Sequence, residues 1–354
     1  GAGALDAGAL AFAAEGLGGT LGASAGIDWT GLSLPVLGEN LEAAAQLLRV
    51  TAFEPALRDA DILAERGLLL DEAHVVTDDM FRYPFQLALA AAFGASGYGV
   101  PLGGTPDSLP HLAPDLVRSW HATHFTGTRG VLVAVGDLDP EDAATRLAGV
   151  FGDVPSAGAA QGHAAQRVRP PAEGWQRVIQ RAKAQSAFAM AFPGPSRRDP
   201  LAPAAEVWTA VASGLGGRLF EALRDRRSLA YTVVGASWAR RDGGAMLAYI
   251  ATAPSREDEA RAAMLEELRR FATAPVAPAE LQRGINYLAG QAEVRRQAAG
   301  AVAGEIVEAW LAGQGLLEME DPGARYRAVT PAAIQEVCAA AFTGARAEGV
   351  IRGE

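Results

Sequence analysis

Two histidines one helical turn apart, His121-x-x-His124, are the first arrangement in this chain with metal-binding chemistry. They lack a glutamate between them, and an internal repeat aligns them with Cys338 and Ala341. A metal site is not expected where a second copy carries small apolar side chains, so the pair reads as structural or surface. Glu65 and Glu72 lie two turns apart on one face of a predicted helix. On their own they read as solvated carboxylates, although Leu68-Leu69-Leu70 between them sets part of that helix in a core. His74 stands off that face and is left unassigned. The run Gly214 to Gly217 lacks the Lys-Ser/Thr ending of a phosphate loop.

The elements that position these residues come in two sets. Phe125-Thr126-Gly127-Thr128-Arg129 recurs as Phe342-Thr343-Gly344-Ala345-Arg346, and Ala113-Pro114-Asp115-Leu116 answers Thr330-Pro331-Ala332-Ala333. A spacing of roughly 217 residues is too long for a solenoid and predicts two copies of one domain. The apolar stretch Val178 to Phe192 and the helical run Ala204 to Ser213 open the second copy. Their counterparts fall before Gly1, so the first copy is expected to lack its front ~40 residues.

In the first copy, residues 20–37 predict two strands around Ile27-Asp28-Trp29, and Gly38-Glu39-Asn40 predicts a helix start. Helices are expected over Pro55 to Val76, Pro84 to Phe93, Ala113 to His124 and Pro140 to Phe151, with a buried strand at Gly130 to Val135. In the second copy, strands are expected at Tyr231 to Trp238 and Ala245 to Ala251, and a helix at Ser255 to Phe271. Short turns such as Arg241-Asp242-Gly243-Gly244 favour hairpins, and so α+β halves over a doubly wound parallel sheet. The aperiodic, Ala-, Gly- and Pro-rich stretch 155–176 reads as a linker between halves 1–154 and 177–354.

Composition narrows the function classes. The chain has 354 residues, 49% of them hydrophobic and 20% charged, enough for two globular domains. A net charge of −10 and the lack of a basic stripe argue against nucleic acid. Cys338 is the single cysteine, so no disulfide scaffold exists. No apolar run is long enough to predict a membrane span.

The segment Gly216 to Tyr231, reading Gly-Gly-Arg-Leu-Phe-Glu-Ala-Leu-Arg-Asp-Arg-Arg-Ser-Leu-Ala-Tyr, resembles the second domain of the pitrilysin/insulinase family. These are zinc peptidases with an inverted H-x-x-E-H motif, and mitochondrial processing peptidase is one of them. The likeness extends to Gln185, Phe192-Pro193-Gly194, Gly18-Gly19, the run Glu65 to Glu72, Tyr98-Gly99, Gly104 and Gly136-Asp137, essentially the whole chain.

The resemblance implies an α+β fold of two homologous halves, each a mainly antiparallel sheet with helices packed on it, in a clam-shell arrangement. It implies a zinc-dependent endopeptidase subunit of the processing-peptidase type, cleaving peptides in a cavity between domains. Glu72 matches the family's third zinc ligand and Glu65 a carboxylate that supports the site. The remaining ligands lie ~75 residues earlier in the family, which places them upstream of Gly1. Arg224 and Tyr231 match a pair that holds substrate, since a guanidinium and a phenol can donate to a peptide carbonyl. Gly22, Ala23 and Ser24 match a strand edge that takes the substrate as a further strand. Active members carry Asn-Ala where this chain has Gly22-Ala23, and the opening Gly1 to Ala7 is similar to non-catalytic members. Those departures imply the alternatives: a substrate-binding subunit paired with a zinc-bearing sister, or a purely structural member. Zn2+ is expected on this chain or its partner, in a homodimer or heterodimer. A bacterial cytoplasmic setting fits, and a single cysteine equally permits the periplasm.

Overall fold

A computed structural model describes residues 1–95, 97–127, 130–154, 175–313 and 316–354. The predicted linker lies mostly outside the described residues, as do Thr128 and Arg129 of the repeat. The chain forms two compact units. Unit 1 gathers the described residues of Gly1–Ala73, Leu102–His163 and Ala298–Glu308. Unit 2 gathers those of His74–Pro101, Ala164–Gln297 and Ala309–Glu354.

The first elements in chain order are α1 (Ala7–Gly16), β1 (Gly22–Ala25), β2 (Thr30–Ser33), α2 (Leu41–Phe53), α3 (Asp59–Asp78) and α4 (Arg82–Phe93). Then come α5 (Pro114–His124), α6 (Pro140–Phe151), β3 (Trp175–Gln180), β4 (Ser186–Pro193) and α7 (Ala202–Ala212). The last are β5 (Val233–Ala239), β6 (Gly244–Thr252), α8 (Glu257–Thr273), α9 (Pro278–Arg295), α10 (Ala299–Ala312), α11 (Ala324–Arg327), α12 (Pro331–Phe342) and β7 (Ala347–Arg352).

In unit 1, β1 and β2 form an antiparallel two-stranded sheet, with Gly22 opposite Ser33 and Ala25 opposite Thr30. Asp6 caps α1 by accepting from the Ala9 N–H at 2.8 Å. Ala44, Ala45 and Leu47 of α2 are buried, as is Ala143 of α6. Phe53 meets Phe151 edge-on at 6.5 Å, and Arg49 pairs with Asp153 at 3.0 Å.

Two expectations for this unit need correction. The predicted helix from Pro55 begins instead at Asp59. Leu57 sits in the left-handed region at φ 39°, which no α-helix tolerates, and Arg118 holds it there by donating to its carbonyl at 2.9 and 3.1 Å. Residues 130–135 form no strand, and Leu132 is exposed. A strand needs a ladder partner, and among the described residues of unit 1 β1 and β2 pair only with each other.

Unit 2 is built on a five-stranded sheet in the order β3-β7-β4-β6-β5, antiparallel except for the β3–β7 pair. Along β4 the residues Ala187-Phe188-Ala189-Met190-Ala191-Phe192 alternate small and large. Period-two geometry sends the large set to one face and the alanines to the other. The large face carries Phe188, Met190, Met246 and Ile250 and is covered by Trp208 of α7, Phe271 of α8 and Phe342 of α12. The small face, Ala187, Ala189, Ala191, Ala245 and Ala347, takes Ala88, Ala91 and Ala92 of α4. A Cβ on Gly349 of β7 would collide with the Pro84 carbonyl and the Ala88 backbone, so α4 lies directly on the strand. Phe81, Phe85 and Tyr249 interlock at one end of this contact, where the Tyr249 hydroxyl donates to the Met80 carbonyl at 2.9 Å. No helix among the described residues is long and apolar enough to cross a membrane.

Candidate substrate-binding site

In unit 2, the chain between α7 and β5 reverses twice and sets Arg224 against Tyr231. Gly214 takes φ +81°, and a Cβ on Gly217 would strike the Ser213 carbonyl, so the entry turn requires glycine at both positions. Phe220–Asp225 is a π-helical turn, with the Arg226 N–H reaching the Glu221 carbonyl five residues back at 3.0 Å. Such turns recur at functional sites because the extra residue re-aims side chains. Leu219, Leu223 and Leu229 are buried and anchor the turn to the core.

Ser228 closes the reversal in a left-handed conformation at φ 48°. Its N–H donates to the Arg224 carbonyl at 2.9 Å, and the Leu229 N–H donates to Leu223 at 2.8 Å. Arg256, ahead of α8, donates to the carbonyls of Ser228 at 2.8 Å and Arg227 at 3.3 Å. These bonds hold a backbone shape that serine does not favour.

The Arg224 guanidinium consequently lies 4.6 Å from the Tyr231 ring centroid and 4.4 Å from that of Phe220. Its Nη1 also donates, at a long 3.4 Å, to the Tyr231 carbonyl. Tyr231 is 76% exposed, so its phenol faces solvent. It precedes β5, which begins at Val233, rather than opening the strand as predicted. Neighbouring charges are paired: Arg226 with Glu221, and Arg227 with Glu266. The Glu266 carboxylate raises the Arg227 pKa, and Arg227 in turn lowers that of Glu266.

In unit 1, Gly22, Ala23 and Ser24 lie on β1, with Ala23 and Ser24 exposed. The edge of β1 away from β2 has no ladder partner among the described residues. Glu65 and Glu72 are both exposed on α3. The core expected around Leu68-Leu69-Leu70 forms instead around Ile62 and Ala73, and Leu68 is exposed. A catalytic zinc needs three protein ligands. Among the described residues no three His, Cys, Asp or Glu side chains gather to hold a metal ion. Glu72 alone does not make a site, so these residues do not compose a zinc centre by themselves.

The histidine pair is structural, as the sequence suggests. His121 Nε2 donates to the Ala52 carbonyl at 2.8 Å and its ring stacks on Phe125. His124 Nδ1 donates to the Trp120 carbonyl at 2.8 Å and stacks on the Trp120 ring. Cys338 is buried in the core, which pushes its thiol pKa well up and leaves it inert. Sequence reasoning missed Phe220, Ser228 and Arg256. Only Phe220 left a signal, its i, i+4 spacing to Arg224.

The sequence matches the peptidase M16 inactive domain over residues 111–288, half of the chain. The chain belongs to the M16 peptidase family. Among its relatives, an uncharacterized zinc protease of Streptomyces coelicolor is 26% identical over 336 residues, covering 93% of this chain and 72% of that protein. One from Mycobacterium tuberculosis is 28% identical over 256 residues, covering 70% of this chain and 57% of its own length. Two crystal structures share the α+β fold at a TM-score of 0.88: a Helicobacter pylori protease at 16% identity and a Pseudomonas fluorescens peptidase M16 inactive domain at 18%. They cover 99% and 100% of this chain, which covers 86% and 85% of theirs.

Proposed function

We propose that this M16 chain is the peptide-holding subunit of a zinc-dependent endopeptidase and works with a zinc-bearing sister subunit. The observation that carries the reading is the Arg224 guanidinium held between the Phe220 and Tyr231 rings. Contact with the two rings leaves the guanidinium N–H groups that do not meet them free to donate. A peptide carbonyl reaching those groups receives a charge-assisted hydrogen bond, and the Tyr231 hydroxyl supplies a second donor. Both strengthen as negative charge develops on the carbonyl oxygen. The open edge of β1 at Gly22, Ala23 and Ser24 offers main-chain groups for an extended peptide.

Arg224 and Tyr231 fall within residues 111–288, the part that matches the peptidase M16 inactive domain, which is consistent with a holding role for this part of the chain. The test is fluorescence anisotropy with a short, unstructured, fluorescein-labelled peptide of Gly, Ala, Ser and Lys. Arg224→Ala is expected to weaken binding roughly ten- to a hundredfold, the range of a hydrogen bond to a charged group. Unchanged affinity would sink the reading.

A second reading is favoured by the names of the relatives, which are zinc proteases. In it Glu72 is one zinc ligand of an active peptidase and Glu65 supports it, with the other donors outside the described residues. Elemental analysis of the assembled peptidase decides this. Glu72→Gln should strip zinc, and undiminished metal content rules the ligand role out.

A further inference from the structure

Arginine is among the side chains with the most rotamer freedom to lose, so an arginine that waits for substrate needs something to hold it. The neighbouring carboxylates do not serve: Glu221 is taken by Arg226, Glu266 by Arg227 and Arg270, and the adjacent Asp225 makes no ion pair with Arg224 among the described residues. Arg224 has no ion pair among the described residues and rests on aromatic rings instead. The two rings differ in footing. Tyr231 is 76% exposed and lies in the bend before β5. Phe220 is half-buried, packs against the main core of unit 2, and starts the π-helical turn that Arg224 belongs to.

We infer that Phe220 is a positioning residue, a fixed aromatic platform that holds the Arg224 guanidinium flat with its N–H edge open to a substrate oxygen. The inference rests on the peptide-holding reading of Arg224, and the experiment separates the two. Phe220→Leu keeps the apolar bulk and removes the ring, Phe220→Tyr keeps the ring, and Arg224→Ala removes the guanidinium.

The first readout needs no peptide. In a spectrum of 15N-labelled arginine side chains, the Nε–H signal that Arg224→Ala deletes is Arg224. Ring currents should displace it upfield in the unsubstituted chain and in Phe220→Tyr, and it should return toward the free-arginine position in Phe220→Leu. Loss of mere packing would not move it in that pattern. The second readout is the dissociation constant of the labelled peptide. Phe220→Leu should weaken it about two- to fivefold, the worth of one exposed cation–π contact, and Phe220→Tyr should restore it.

A Phe220→Leu chain with an unmoved Arg224 signal and unchanged affinity overturns the inference. If Arg224→Ala leaves affinity intact, the peptide-holding reading falls, and the Nε–H signal alone still decides whether Phe220 holds the arginine. If Phe220→Leu shows no cooperative melting transition, Phe220→Met takes its place in both measurements.

Discussion

The β5 edge of unit 2 and the β1 edge of unit 1 are treated in opposite ways. In unit 2 the edge strand β5 is sealed by side chains of the preceding helical segment. Ser213 Oγ accepts from the Gly235 N–H at 2.7 Å and donates to the Gly235 carbonyl at 2.6 Å, while Thr209 Oγ1 accepts from the Ser237 N–H at 2.8 Å. In unit 1, β1 has no such cover among the described residues, and Ala23 and Ser24 are exposed. An unpaired edge invites another strand, and proteins blunt those they do not use. β5 is therefore closed to a further strand along the Gly235 and Ser237 bonds, whereas β1 remains able to accept one.

The contrast is broken most severely by attacking the sheet that supports the sealed edge. Gly349→Leu would drive a side chain into the α4 backbone and should cost about 4 kcal/mol or more. A urea titration followed by circular dichroism should place its midpoint far below that of the unsubstituted chain. A preserved midpoint would mean that α4 does not lie on β7.

Ser213→Ala removes the larger part of the seal, leaving the Thr209 bond to Ser237 and the strand in place. Two backbone groups of the buried Gly235 lose their partner, at about 1–3 kcal/mol. Hydrogen exchange at the Gly235 amide should accelerate, and the chain should associate more readily in light scattering. An amide as protected as before would show that something other than Ser213 closes the edge.

The mildest change sharpens the other side of the comparison. The Gly26 N–H donates to the Trp29 carbonyl at 2.7 Å, so the alternation of an antiparallel ladder turns the Ala23 N–H away from β2. Ala23→Pro deletes one outward donor without touching the β1–β2 bonds. Peptide affinity should fall about two- to tenfold, one hydrogen bond's worth, with melting little altered. Equal affinity would remove β1 from the binding surface.

Much of unit 2 was legible because local pattern and tertiary demand agree there. The strand expected at Ala245 to Ala251 and the helix expected at Ser255 to Phe271 lie close to the observed β6 and α8, and the segment Gly216 to Tyr231 carries its resemblance along with Arg224 and Tyr231. What escaped reading was set by contacts distant in sequence. Leu57 takes its left-handed shape because Arg118 holds its carbonyl, which no propensity encodes. Residues 130–135 have strand-like composition, but composition supplies no ladder partner. The Ala-rich α4 reads as an ordinary apolar helix, and nothing local says that its cover is a sheet formed by residues far downstream. Ser228 is polar and unremarkable in sequence, and its backbone shape comes from the reversal that the buried Leu223 and Leu229 impose around it.

The place of β7 in the sheet has a consequence for biosynthesis. This strand, made of Ala347 to Arg352, lies between β3 and β4 rather than at a margin, and it carries the glycine against which α4 rests. A ribosome finishes α4 roughly 250 residues before β7, and non-local pairings of this kind fold slowly. Until β7 arrives, β3 and β4 lack the strand between them and the alanine face of α4 has no complete seat. A nascent chain therefore exposes the alanine face of α4, and later β3 and β4 without the strand between them, until β7 is made, which is apolar surface of the kind chaperones shield.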